Sequence, residues 1–185
     1  MRRSLLSAAA IGLASRWARA DEVFVPIGLQ ASLLAKVAGY DRNFAARAGD
    51  AARVLIVRKG GAESVRTAGQ LEQAVGALDD IAGLPPRVTV AAFSDAAALA
   101  AQCSEQRAAV VWLAAGFQGD IPAIAAALAG ANILSVTVAN EVAGGVVLGF
   151  DLVSGKPKLL CNITQARKQN VSFKADILKL MRVVE

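Results

Sequence analysis

Residues able to do chemistry are scarce in this chain, and their types narrow the options. There is no histidine among its 185 residues. That removes the usual general base at neutral pH, the commonest metal ligand, and every Ser–His or Cys–His nucleophile pair. Two cysteines far apart in sequence, Cys103 and Cys161, do not supply the clustered thiolates of a zinc site. Carboxylates remain, but Asp79-Asp80 are adjacent at a helix end and point in different directions, while Glu141 and Asp151 flank an expected hairpin. Solvation of turns and edges accounts for all four better than acid–base work does. The expectation is a protein that is not an enzyme and that needs no cofactor or metal.

Two glycine-bearing stretches could cradle phosphate. Gly149 to Lys156 has one residue too many for a Walker loop, and Pro157 stands where the metal-binding hydroxyl belongs, so it reads as a hairpin turn. Arg58-Lys59-Gly60-Gly61 falls between an expected strand and helix, where backbone amides can hold an anion. An ordinary strand-to-helix turn explains it more simply. Asn162 ends an apolar strand just before a helical turn. Its amide is either a cap for that turn or a ligand contact at a strand's carboxyl end, and the cap is favoured. Cys103 and Cys161 are a possible disulfide, with two buried free thiols favoured over the bridge.

The elements that must position these residues alternate. A helix is expected over Gly28–Arg47 with Leu29, Leu33, Val37, Tyr40 and Phe44 on its apolar face, and with Lys36, Asn43 and Arg47 elsewhere. A strand follows at Arg53–Arg58, then a helix with Leu71, Val75, Leu78 and Ile81 on one stripe, stopped by Gly83 and Pro85-Pro86. Next come a strand at Arg87–Ala91, a helix over Asp95–Gln106 capped by Ser94, and a strand at Ala109–Ala114. A helix over Ile121–Leu128 accepts Pro122 in its first turn, and a strand follows at Asn132–Val138. Val146–Phe150 and Lys158–Ile163 form a hairpin, and Phe173–Val184 a closing amphipathic helix with Phe173, Ile177, Leu180, Met181 and Val184 on one face. The pattern predicts an α/β fold with a mainly parallel central sheet and helices on both faces.

Residues 1–20 have another character. Arg2-Arg3, a short apolar run from Leu5 to Ala14, and Ala18-Arg19-Ala20 have the layout of a cleavable export signal, read by the Sec or the twin-arginine route. Residues 21–185 then form a single domain, expected in the periplasm. The full chain carries 20 Lys+Arg against 15 Asp+Glu, and four of those arginines lie in the signal. The domain is therefore close to neutral, which argues against nucleic-acid binding. No apolar run within it approaches a membrane span.

The order and spacing of several apolar pieces resemble the YfiR family of periplasmic proteins. These are Ile133-Leu-Ser-Val136, Gly144-Gly145, Phe150, Asn162-Ile163 with Ala166, and Val171-Ser-Phe173 with Ile177-Leu178-Lys-Leu180 and Val183. Val110–Leu113, with Cys103 upstream, and the helix holding Ala35-Lys36 and Phe44 also fit. The resemblance implies a homodimeric regulator that binds the periplasmic part of an inner-membrane diguanylate cyclase and holds it inactive. On that reading Lys36, Asn43 and Arg47, on the polar side of the first helix, are the candidate partner contacts. The alternative is a periplasmic small-ligand carrier or sensor with a pocket near Asn162 or Lys59-Gly60-Gly61.

Overall fold

The computed structural model describes residues 25–138 and 141–184, so the export signal expected at 1–20 lies outside the described residues. The elements run α1 (Ile27–Ala38), α2 (Phe44–Ala48), β1 (Ala52–Arg58), α3 (Ala62–Gly76), β2 (Pro86–Ala92), α4 (Ala96–Glu105), β3 (Val110–Leu113), α5 (Ile121–Ala127) and β4 (Leu134–Thr137). A 3-10 turn (Glu141–Gly144), β5 (Leu148–Val153), β6 (Lys156–Asn162), α6 (Ile163–Lys168), α7 (Ala175–Leu178) and β7 (Arg182–Val184) complete it. The strands form one sheet in the order β2-β1-β3-β4-β5-β6-β7. Pairing is parallel from β2 through β5, antiparallel between β5 and β6, and parallel between β6 and β7. The fold is α/β with a mainly parallel sheet and an antiparallel hairpin, as the alternation predicts.

Because side chains alternate across a strand, the central strands feed two cores. Val54, Ile56, Val110 and Trp112 enter one, with Leu34 of α1 and Leu71 of α3. Leu55, Val57, Val111 and Leu113 enter the other, with Leu99 of α4 and Ile124 of α5. Apolarity on both sides is what made these runs read as buried parallel strands.

The first helix does not run to Arg47. It stops at Ala38, because the backbone of Tyr40–Arg42 leaves the helix to bond the C-terminal segment: Arg42 N donates to Ser172 O (2.9 Å) and Lys174 N to Tyr40 O (2.9 Å). The buried face is also rotated from the expected one. Gln30, Ala31, Leu34, Val37 and Ala38 face inward, whereas Leu29 and Tyr40 are both 40% exposed. Helix α3 ends at Gly76, leaving Leu78 and Ile81 in the following turn. Asp95 rather than Ser94 caps α4, its Oδ1 accepting from Ala98 N at 2.8 Å.

The closing helix is the largest departure. Helix α7 is a single turn, and Arg182–Val184 is a strand whose residues pair with Leu160, Cys161 and Asn162. Phe173, Ile177 and Met181 are buried as the helical spacing required, but Leu180 is 64% exposed. The open edge of β6 offers unpaired backbone groups, and the β-branched Val183-Val184 satisfy them.

Candidate functional site

In an open parallel sheet, ligands bind beyond the carboxyl ends of the strands where the strand order reverses. Here β1 is followed outward by β2 on one side and β3 on the other, so the reversal lies between β1 and β3. A cleft of about 510 Å³ opens there, lined among others by Val25, Gln30, Arg66, Thr67, Gly116 and Val138. Helix α3 presents one face to it, with Glu63, Arg66, Thr67 and Gln70 at successive turns.

The neighbouring Lys59-Gly60-Gly61 turn is tied internally. Lys59 N–H donates to the Ser64 hydroxyl at 2.9 Å, its ammonium pairs with the Asp120 carboxylate, and it lies 5.4 Å from the centre of the Phe117 ring. This cation already has an anion. Gly61 precedes α3 in an ordinary extended conformation, so the turn serves strand-to-helix passage. Close by, the Thr137 hydroxyl donates to Glu141 Oε2 at 2.5 Å. Burial pushes the Glu141 carboxyl above its ordinary value, against the opposing pull of Thr137, Lys59 and the Phe117 backbone. Among the described residues neither Glu141 nor Asp151 is paired with a second carboxylate for acid–base work: Asp151 faces Arg182 at 3.5 Å. Asp79 and Asp80 are exposed, and Asp80 Oδ1 accepts from Gly83 N at 2.7 Å.

Asn162 caps α6, its Oδ1 accepting from Gln165 N at 2.8 Å while Nδ2 donates to Val142 O at 3.0 Å. It also lines a shallow hollow of about 400 Å³ with Pro122, Ala125, Gly144 and Gly145. That hollow exists because two glycines let the 3-10 turn lie against α5. A Cβ on Gly145 would stand 2.5 Å from Ala125 Cβ, and one on Gly144 2.9 Å from Ile121 Cγ2.

The three expected partner contacts do not share a surface role. Lys36 is exposed on α1, beside a hollow shared with Asp79 and Asp80. Asn43 and Arg47 instead belong to a polar knot that the sequence did not announce. Arg47 Nη1 lies 2.8 Å from Asp41 Oδ2, and these two side chains are 2% and 0% exposed. Arg47 Nε donates to Asn132 Oδ1 (3.0 Å), and both Arg47 Nη2 (3.1 Å) and Asn43 Nδ2 (2.8 Å) donate to Asn170 O. Asp41 Oδ1 accepts from the backbone of Asn43 (3.1 Å) and Ser172 (2.9 Å). Burial lowers the Arg47 pKa, with Asp41 opposing that shift. The knot fastens the α1–α2 segment to the loop between α5 and β4 and to the segment between α6 and α7. Its one sequence signal is Asp41 itself, an acid within an otherwise apolar-patterned stretch.

Cys103 and Cys161 are free and buried. The possible bridge is not formed, because Cys103 sits in the core on the α4 side of the sheet and Cys161 in the core on the opposite side. Burial pushes both thiols up to about 12. Among the described residues no helix is long and apolar enough to cross a membrane.

Sheet order and crossover connections define an α/β domain with a mainly parallel sheet and a cleft at the strand ends. The fold is similar to that of an ABC domain in complex with L-Trp from Streptococcus pneumoniae (TM-score 0.60, 11% identity, 86% of this chain). It is similar also to a conserved domain protein from Vibrio cholerae (TM-score 0.57, 14% identity, 86%) and to a ligand-free, open substrate-binding protein with adhesive properties from Clostridium difficile (TM-score 0.58, 7% identity, 77%). The chain spans 62%, 60% and 57% of those longer chains, and at such identities the likeness is one of fold. No curated protein matches this sequence. Residues 29–182 match the YfiR/HmsC-like family, and the chain belongs to it. The homodimer expected from the resemblance gains no support from these findings.

Proposed function

We propose that this protein is exported, binds the periplasmic part of an inner-membrane diguanylate cyclase, and holds that enzyme inactive. The observation that carries the reading is the match of residues 29–182 to the YfiR/HmsC-like family. Inhibition of this kind asks for a shaped surface and a binding energy that differs between two states of the partner. Of the three candidate contacts, Lys36 is the one left outward, on an α1 face that also carries the exposed apolar side chain Leu29, with the exposed Tyr40 just beyond the helix end. Asn43 and Arg47 are instead engaged by Asp41, Asn132 and Asn170. Deleting the gene tests the function: cyclic di-GMP and surface attachment should rise, and unchanged levels of both would refute it. Lys36→Glu should weaken capture of the cyclase's periplasmic segment while leaving the circular dichroism spectrum intact. N-terminal sequencing of the exported protein should begin at Asp21 if residues 1–20 are a cleaved signal.

A further inference from the structure

The cleft at the strand ends is lined by a residue with a polar atom that has no partner among the described residues. Gln30 lines the cleft yet is 0% exposed. Its Nε2 donates to Val25 O at 2.8 Å, which fixes the amide's orientation because a carbonyl oxygen can only accept. Among the described residues the other end, Oε1, has no hydrogen-bond partner. A buried acceptor in this condition is uncommon and calls for an explanation. What is missing is an N–H or O–H donor.

The rest of the cleft says which donor. Val25, Ile27 and Val138 give it an apolar wall, and a charged donor next to them would lose its hydration for a neutral amide acceptor. A neutral amide N–H suits the place better than an ammonium. At the mouth, Glu63 and Arg66 stand three residues apart on the exposed side of α3, near its N-terminus, presenting opposite charges in water. The buried Thr67 lies between them and the interior. The volume of about 510 Å³ is of the size that small-molecule sites have.

We propose that this cleft is a binding site for a short zwitterionic peptide, its internal amide N–H donating to Gln30 Oε1 and its two charged ends meeting Glu63 and Arg66. The apolar side chain lies against Val25, Ile27 and Val138. The proposal does not depend on the identity of the cyclase partner, since binding is a property of this domain alone. It would give the domain a soluble ligand whose occupancy stiffens α1 against α3.

The test is calorimetry and thermal unfolding of the purified exported protein with the dipeptides Gly-Leu and Ala-Phe, and with free leucine as the probe that lacks the internal amide. The expected result is saturable dipeptide binding with a rise in melting temperature, and leucine binding at least about tenfold weaker. Gln30→Met should weaken dipeptide binding about tenfold or more. Arg66→Ala, at an exposed position, and Ala115→Leu, which fills the cleft, decide the matter should Gln30→Met fail to fold, and each should weaken binding. Absence of saturable binding by both dipeptides overturns the proposal. Leucine binding as tightly as the dipeptides overturns it, as does dipeptide binding unchanged in the folded variants.

Discussion

Arg47→Met should cost this domain much of its stability, although Arg47 reads from the sequence as a surface residue. Its Nη1 lies 2.8 Å from Asp41 Oδ2, and both side chains are withdrawn from water. Removing one member of a buried ion pair typically costs 3–5 kcal/mol, because the other charge stays behind. Two backbone N–H groups still bond Asp41, but both go to Oδ1, so Oδ2 loses the charge it faces. Two further hydrogen bonds, to Asn132 Oδ1 and Asn170 O, leave with the guanidinium. Allowing for the surviving bonds to Oδ1, the loss should be roughly 2–4 kcal/mol, or about 5–15 °C in melting temperature for a domain of this length. Urea unfolding followed by circular dichroism measures it. The double variant Asp41→Asn/Arg47→Met should recover part of the loss, giving a coupling energy above about 1 kcal/mol. A single-variant loss under about 1 kcal/mol with additive double-variant behaviour would refute the argument. Arg47→Glu sets two carboxylates together and should unfold the protein outright, so it cannot report on partner binding.

Other outcomes follow from the same geometry. Gly145→Ala adds a Cβ 2.5 Å from Ala125 Cβ at a φ of +124°, and should cost about 2 kcal/mol or more. Pairing it with Ala125→Gly should relieve the clash and leave the backbone strain, so chemical denaturation should show partial recovery. Cys103 and Cys161, with thiols pushed up to about 12, should react with a thiol reagent at mild alkaline pH only after unfolding, and a reductant should leave the melting temperature unchanged. Glu141 has its pKa raised in the folded state, so its contribution is present below the ordinary glutamate range and is lost as pH rises through the raised value. Glu141→Gln should therefore melt higher than the parent protein at pH 8, and its advantage should shrink toward pH 4.5. An advantage that is constant across that range would exclude Glu141 as the titrating group.

What the sequence determined by itself is the local pattern. Runs such as Val54–Val57 and Val110–Leu113 are apolar at every position, which only a strand covered on both faces tolerates, and the intervening helices impose parallel crossovers. The cap at Asn162 was legible for the same reason: an amide at the junction of strand and helix has a backbone N–H three residues ahead. Pairings distant in the chain were not legible. Helical spacing at Phe173, Ile177 and Met181 is satisfied by a single turn plus a bend, and whether Val183-Val184 prolong a helix or close a sheet depends on the free edge of β6. The break after Ala38 depends likewise on Ser172 and Lys174, more than 120 positions away. Asp41, Asn43 and Arg47 look like a helix's wet side until the C-terminal segment covers them. The acceptor left over on Gln30 appears only once α1 is laid against the ends of β3 and β4. Periodicity records how each element meets some core, whereas which polar groups become buried together is decided by which elements meet each other.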